Sequence, residues 1–334
     1  MKYVNLGNSG LKVSRLCLGC MSYGAPATTP AKAGTGQHSW TLNEADSMPF
    51  LRKAIDLGVN FFDTANVYGG GASEEVLGRF IKQNVPRESV VIATKVFGTM
   101  RSDPNGGGLS RKAILFELDQ SLRRLQTDYI DLYQTHYWDA GTPIDETLEA
   151  LNDAVRAGKV RYLGACMPYA WQFAKSVYLA DRKGWSRFVS LQAHYNLLYR
   201  EEEREMLQFC RSEGLGVMCW SPLARGRLSR PWGSAQTARA ATDAFSSVLY
   251  DNTDAVDKPV VDRLCEVAAR HGVPPAQMAL AWLYSRPGVT SPIVGATRLS
   301  HLDDAVAALE LEQVAASEAK ALEELYQPHK LIAF

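Results

Sequence analysis

The sequence lacks the long apolar stretches that membrane proteins need. No segment reaches the roughly 18 uncharged apolar residues of a membrane-spanning helix. The first eight residues, MKYVNLGN, contain no apolar core of a signal peptide. A composition of 46% hydrophobic and 22% charged residues is that of a soluble globular protein with enough apolar surface for a large core. We therefore expect a cytoplasmic protein with no membrane partner.

An excess of either charge is also missing. Lys and Arg together number 36, and Asp and Glu together number 36, so the formal net charge is zero. This balance argues against nucleic acid as the main partner, because nucleic-acid-binding domains carry a basic surface. No pattern in the sequence predicts an oligomeric state.

Cysteine is scarce, with six residues in the chain and a single C-x-x-C from Cys17 to Cys20. A redox pair or half of a zinc site is one interpretation of that spacing. No second C-x-x-C and no H-x-x-x-H completes a metal site, and Cys17 lies in an apolar run. We expect packed, reduced thiols and no bound metal.

Helical and strand-like segments alternate from residue 41 to residue 220. A glycine, which suits the left-handed position after a helix, ends four of the helical segments: Gly58, Gly158, Gly184 and Gly214. The predicted strands comprise one near residues 13–19, six that end near Asp63, Lys95, Gln134, Ala165, Gln192 and Cys219, and a last one over residues 290–294. Eight such units favour a closed (β/α)8 TIM barrel, formed by residues 1–334 as one domain, over an open doubly wound sheet.

Helix-start signals agree with this alternation. Thr41 with Glu44 has the spacing of a capping box, Ser73 precedes two glutamates, and Thr142 precedes a proline. Three loop segments interrupt the pattern: residues 25–39 and 102–108, predicted to be flexible, and a long insertion over residues 221–257. In a barrel all three would lie over the C-terminal mouth.

Polar side chains stand where three of the apolar runs end. Asp63 ends one run with Tyr68 five residues later, Lys95 ends the next, and His136 follows the third. The C-terminal ends of barrel strands converge on one mouth, so we expect these four residues to meet there. A carboxylate, an ammonium group, a phenol and an imidazole placed together are suited to proton transfer. This combination predicts an enzyme.

The four side chains can be assigned chemical roles. Tyr68 is the predicted proton donor, and Lys95 beside it is expected to lower the pKa of the phenol, with Asp63 holding the ammonium group. His136 would donate a hydrogen bond to a substrate carbonyl. A structural salt bridge and a core histidine are the alternatives for these residues taken singly. A Schiff-base lyase using Lys95 is a second chemical alternative, which the adjacent carboxylate opposes.

Six segments together resemble the aldo-keto reductase superfamily. They are FFDTANVYG from Phe61, IATK ending at Lys95, LYQTH ending at His136, YNLL from Tyr195, WSPLARG from Trp220, and PIVGAT from Pro292. They follow the family's order over almost the whole chain. The nearest branch is the microbial aryl-alcohol dehydrogenase-like group, which is related to potassium-channel beta subunits.

The resemblance implies an NADP-dependent oxidoreductase in which NADPH reduces an aldehyde or ketone and NADP+ is released. Tyr68 would be the acid, tuned by Lys95 and Asp63, with His136 orienting the substrate. Gln192 would hold the nicotinamide carboxamide and Trp220 would lie against its ring. The implied cofactor-binding residues are Gly19, Cys20, Met21, Asp63, Cys166, Met167, Gln192, Trp220, Ser221, Pro222, Leu223, Arg225, Gly295, Thr297, Arg298, His301 and Asp304. A helix predicted to begin near Ser300 would add its N-terminal dipole at the anionic end.

The sequence departs from the family at the end of the fifth strand. Cys166 and Met167 stand where Ser-Asn or Ser-Ser is usual, and Ala193 and Ala305 each stand where asparagine is expected. A thiol and a thioether are weak hydrogen-bonding groups, so one or two cofactor hydrogen bonds are lost. We hypothesise that Cys166, Met167 and Pro168 widen the pocket beside the nicotinamide.

Two functions follow from the resemblance. The first is carbonyl reduction of a small molecule, and aromatic residues expected near the mouth favour an aromatic or bulky substrate: Tyr23, Tyr137, Trp138, Tyr169 and Trp232. Packing under the loops is the alternative for Trp138 and Tyr169. The second function is a cofactor-binding, redox-sensing interaction subunit with slow turnover, like the channel beta subunits.

Overall fold

Eight parallel strands close into a barrel in a computed structural model that describes residues 1–25, 38–234, 242–311 and 314–331. The barrel strands are β3 (Cys17–Gly19), β4 (Phe61–Asp63), β5 (Val91–Val96), β6 (Ile130–Thr135), β7 (Val160–Cys166), β8 (Phe188–His194), β9 (Gly216–Trp220) and β10 (Val289–Val294), preceded by β1 (Tyr3–Asn5) and β2 (Lys12–Ser14). Pairing of β10 with β3, in which Ile293 lies opposite Cys17, closes the ring. The predicted barrel is confirmed.

Helices follow the barrel strands and cover them. Their bounds are α1 (Glu44–Asp56), α2 (Ala72–Asn84), α3 (Arg111–Leu125), α4 (Ile144–Arg156), α5 (Ala170–Lys183), α6 (Met206–Ser212), α7 (Ala244–Tyr250), α8 (Asp254–Arg270), α9 (Pro275–Ser285), α10 (Ser300–Ala307) and α11 (Ala316–Glu323). With helices outside and side chains inside, strands such as β5 are buried along their full length. None of the helices in the described ranges is both long and apolar enough to span a membrane.

Helix ends match the glycine signals better than helix starts match the capping signals. Gly184 takes the left-handed conformation at the C-cap of α5, with φ of 66°. At the start of α1, however, the cap is Asn43, whose side chain accepts from the Asp46 N–H, and the predicted Thr41 cap is wrong. Ser73 lies inside the first turn of α2 and donates to the Cys20 carbonyl, so it is not the cap.

The predicted first strand is split in two. The hairpin of β1 and β2 ends at Ser14, whose hydroxyl donates to the Leu16 carbonyl, and the barrel strand β3 begins at Cys17. Leu6 and Val13 of the hairpin segment join a buried cluster inside the barrel with Phe61 and other strand residues. The hairpin therefore fills the N-terminal end of the barrel, which the sequence analysis did not predict.

The predicted loops have different outcomes. Most of 25–39 lies outside the described residues. The 102–108 loop is irregular as predicted, but Arg101 pins it through an ion pair with Glu117 and a hydrogen bond to the Asn105 carbonyl. The hydrogen bond from the Gly108 N–H to the Phe97 carbonyl closes its base, so the expected flexibility is not supported. The 221–257 segment contains α7 and the start of α8.

Candidate active site

The four predicted polar residues are brought to one end of the barrel by neighbouring elements. Asp63 is the last residue of β4, Lys95 lies near the end of β5, and His136 directly follows β6. Tyr68 begins a 3-10 turn over Tyr68–Gly71, in which Gly69 and its neighbour Gly70 have positive φ angles. That tight turn brings the phenol back over the strand ends.

Lys95 is the centre of the hydrogen-bond network. Its fully buried Nζ donates to Asp63 Oδ1 at 2.6 Å and to the Thr64 carbonyl at 2.8 Å, and it lies 3.3 Å from the Tyr68 hydroxyl. The ammonium group thus has two fixed acceptors and one reactive neighbour. This geometry keeps a positive charge beside the phenol.

The effect of this arrangement on the Tyr68 pKa differs from the expectation. Burial raises the pKa of Tyr68, and the opposing effect of Lys95 is smaller, so the net value rises to about 12. For Lys95 itself, burial lowers the pKa, but the Asp63 charge and hydrogen bond outweigh it and leave the pKa above its ordinary value. The phenol is therefore protonated at neutral pH, as a proton donor must be, and the lysine is charged.

His136 is buried beside Tyr68 and is neutral. Burial and the nearby Lys95 charge both hold the pKa of His136 well below its ordinary value. Its ring meets the Tyr68 ring edge-on at a centroid distance of 5.7 Å and stacks on Tyr137 at 4.8 Å. The stacking fixes the plane of an imidazole that can donate a hydrogen bond without carrying charge.

Two glutamine amides complete the network around Asp63. Gln134 Nε2 donates to Asp63 Oδ2 at 3.0 Å, and Gln192 Nε2 donates to the same oxygen at 2.8 Å. The sequence pattern marks Gln134 only as a strand end and does not predict this contact. A signal was present, because Gln134 precedes His136 by two residues, and alternate residues of a strand share a face. Asp63 is thus held at both of its oxygens.

A cavity of about 780 Å³ opens at this end of the barrel. Three of the four catalytic candidates line it, and Lys95 lies beneath them, fully buried. The predicted cofactor residues that line it are Gly19, Met21, Asp63, Cys166, Met167, Gln192, Trp220, Ser221, Pro222, Leu223, Arg225, Gly295, Thr297, Arg298, His301 and Asp304. Cys20 is not among the lining residues, because its side chain is buried with its Sγ 3.7 Å from the Leu18 carbonyl.

The β7 side of the cavity has few hydrogen-bonding groups. Burial raises the pKa of the Cys166 thiol to about 12, so it is protonated, and its Sγ lies 3.8 Å from Gln192 Oε1. Met167 adopts a positive φ of 56°, and its backbone N–H donates to the Gln192 carbonyl. Gln192 thus faces a weak thiol donor on one side and the Asp63 carboxylate on the other.

Three arginines line the cavity, but one of them is neutralised. The Arg225 guanidinium is buried and donates to both carboxylate oxygens of Asp243, at 2.6 and 2.7 Å. Arg230, five residues later, and Arg298 also line the cavity. Arg230 is not among the cofactor-binding residues predicted from the sequence, although it lies in the same segment as Arg225. Asp243 directly precedes α7, so this ion pair connects the start of α7 to the segment that follows β9.

Trp220 is supported from behind by stacked rings. The His194 ring lies parallel to Trp220 at 4.2 Å and to Tyr199 at 4.3 Å. Asn196 Nδ2 donates to the Ser221 carbonyl at 3.0 Å, which holds a residue with a positive φ of 49°. The YNLL segment therefore shapes the turn that presents Trp220 to the cavity.

Metal and disulfide chemistry find no support in the residues described. No group of three or more His, Cys, Asp or Glu side chains among them is arranged to hold a metal ion. Cys17 and Cys20 are both buried and unbridged, as the sequence analysis predicted. Burial raises the pKa of the Cys17 thiol, which makes it a poor nucleophile.

Comparisons with known proteins agree with the geometry. Residues 15–327 match the profile of the Aldo/keto reductase family. The chain is 42% identical to a versiconal hemiacetal acetate reductase of Aspergillus parasiticus, over 98% of each chain. It is 40% identical to a putative aryl-alcohol dehydrogenase of Schizosaccharomyces pombe, over 98% of this chain and 96% of the relative. A putative aryl-alcohol dehydrogenase of Saccharomyces cerevisiae is 36% identical, over 99% of this chain and 98% of that protein.

Proposed function

This chain belongs to the aldo/keto reductase family of oxidoreductases, and from that premise we propose that it reduces an aromatic or bulky aldehyde or ketone with NADPH. The observation that carries the proposal is the buried Asp63–Lys95–Tyr68 arrangement beside a neutral His136. Three relatives are named as putative aryl-alcohol dehydrogenases, which supports an aromatic substrate.

The cavity residues fit such a cofactor. Trp220 presents a large aromatic ring whose buried Nε1 has no hydrogen-bond partner within the described ranges. Arg230 and Arg298 supply cations for phosphate groups, and Ser300, the first residue of α10, also lines the cavity, so the positive end of the helix dipole faces the same space. A choice of NADPH over NADH rests on Arg298 and the family. When bound, the cofactor supplies the hydride that the carbonyl carbon receives.

The side chains then supply the proton. Tyr68 donates its hydroxyl proton to the carbonyl oxygen as that oxygen gains negative charge. The phenolate that remains is stabilised by the Lys95 ammonium, 3.3 Å away. His136 donates a hydrogen bond to the same carbonyl oxygen and fixes its direction. Solvent reprotonates Tyr68 before the next cycle.

The two alternatives gain less support. A Schiff-base lysine must lose its proton to attack a carbonyl, and Asp63 holds Lys95 in the charged form. A redox-sensing subunit with slow turnover would use the same proton donor, so the rate of turnover is what separates it from an enzyme. Borohydride trapping on Lys95 would revive the first, and a tight partner with negligible turnover would revive the second.

The direct test is the Tyr68→Phe variant. We expect reduction of aromatic aldehydes, followed by the loss of NADPH absorbance, to fall by about 10²- to 10⁴-fold. The dissociation constant for NADPH should stay within about twofold, because the ring and its packing are kept. Assays with NADH in parallel test cofactor choice. A Tyr68→Phe enzyme with wild-type turnover refutes the assignment of the acid.

A further inference from the structure

Aromatic side chains continue from the cavity onto the surface of the mouth. Tyr137 lines the cavity, and the next residue, Trp138, is half-buried with its ring centroid 6.0 Å from that of Trp171. Trp171 is 61% exposed and Tyr169 is 42% exposed. Trp138 follows β6, and the other two lie where β7 leads into α5, so neighbouring strands place them on the same rim.

We propose that Trp138, Tyr169 and Trp171 form an outer substrate subsite, here named the aromatic rim, which binds the far ring of an extended aryl aldehyde or ketone. The inference rests on the proposed carbonyl reduction and deepens it. The carbonyl group occupies the inner cavity at Tyr68, and the rest of the molecule passes Tyr137 to reach the rim.

The exposure of these rings supports a ligand in preference to packing. Trp171 is the most exposed large apolar side chain in the described part of the chain. Tyr178, on the same helix, is similarly exposed at 53%, but its hydroxyl is hydrogen-bonded to Glu213 and its ring packs edge-on against Phe209. Large apolar groups exposed beside a cleft are typical of binding surfaces.

The rim adjoins the inner cavity at Tyr137, which lines the cavity and directly precedes Trp138 in the chain. A void of about 20 Å³ behind these residues, lined in part by Tyr137, Trp138 and Cys166, is too small to hold a ring. In the proposed binding mode the substrate therefore passes over the half-buried Tyr137 on the open side of the mouth.

Aromatic geometry sets the class of ligand. Two tilted indole rings at 6.0 Å offer both a face and an edge to a third ring. A linear substrate of two or more rings with its carbonyl at one end satisfies both subsites at once. A single-ring aldehyde reaches only the inner one.

The test compares affinities along a series of aldehydes of increasing length: benzaldehyde, 4-phenylbenzaldehyde and 4-styrylbenzaldehyde. Equilibrium dialysis against the full chain with NADP+ present measures binding without turnover. The Trp171→Ala variant should bind the longer aldehydes about threefold to tenfold more weakly and benzaldehyde within about twofold of wild type. Trp171→Phe should recover part of the loss.

Tyr178→Ala is the matched control, because it removes a comparably exposed ring from the same helix away from the rim. It should leave all three affinities unchanged. Equal losses for all three aldehydes, no loss in Trp171→Ala, or the same loss in Tyr178→Ala would overturn the rim. Length-dependent binding without NADPH-dependent turnover would uphold the rim and overturn the proposed reduction.

Discussion

Two sides of the same cavity satisfy their polar groups in opposite ways. On the β4–β6 side, Asp63 is bonded at both oxygens and Lys95 is fully buried among acceptors. On the β7 side, Cys166 offers a weak thiol donor at 3.8 Å and Met167 offers a thioether. The Asp63–Lys95 pair beside the proposed proton donor is fully bonded, whereas the side proposed to hold the cofactor is loosely bonded. Proton transfer tolerates less geometric change than ligand binding does.

The largest effect on this contrast is expected from removing a hydrogen bond to Asp63. Gln134→Leu deletes one donor to Asp63 and leaves more negative charge beside Tyr68 and Lys95, which disfavours the phenolate. We expect kcat to fall by about tenfold while KM and the NADPH dissociation constant stay nearly constant. Steady-state kinetics and cofactor titration measure the split.

Ser190→Ala is the matched control for Gln134→Leu. Ser190 is buried in β8, and its hydroxyl has no hydrogen-bond partner within the described residues. It lies in the same layer, since a Cβ placed on Gly164 would meet both Ser190 Oγ and Gln134 Cγ. Equal kcat values in the two variants would show that Gln134 only packs.

A smaller effect is expected from adding bonds to the loosely bonded side. In the double variant Cys166→Ser with Met167→Ser, hydroxyl groups replace a thiol and a thioether beside the expected nicotinamide position. NADPH should bind about threefold to tenfold more tightly, with one or two hydrogen bonds gained. Fluorescence titration gives the dissociation constant, and Cys265→Ser, far along α8, serves as control. Unchanged affinity in the double variant rejects the hypothesis.

The smallest expected effect is that of pH on the reaction rate. The proposed acid Tyr68 must be protonated to donate, and its pKa is raised to about 12, so alkali does not ionise it until well above neutral pH. The proposed role of His136 needs an uncharged ring, and its lowered pKa keeps the ring uncharged in mild acid. We expect kcat/KM to stay constant within about twofold from about pH 6 to pH 9. An ionisation near neutral pH in the rate profile would contradict both assignments.

The sequence predicts the barrel and the four polar residues because both depend on local signals. A glycine after a helix and an apolar run before a polar residue are local patterns, and topology brings the strand ends together. The Asn43 cap was missed because Thr41 offered a competing pattern three residues before Glu44.

Other features depend on contacts across the chain and escape a local analysis. The Arg225–Asp243 pair joins residues 18 positions apart through the fold. The Tyr68 pKa depends on burial, which composition and spacing do not give. The spacing of Gln134 from His136 indicates which face of the strand it shares, but its hydrogen bond to Asp63 follows only once the strands are placed side by side.

The hairpin that fills the N-terminal end of the barrel affects how ligands enter and leave the cavity. Among the described residues, Leu6 and Val13 close that end of the barrel, so the proposed substrate and cofactor would share the opening at the mouth. When two ligands share one opening, the ligand that binds deepest in the cavity must bind first and dissociate last. The β1–β2 hairpin, which lies at the opposite end of the barrel from the cavity, therefore constrains the order in which ligands of the cavity bind and dissociate.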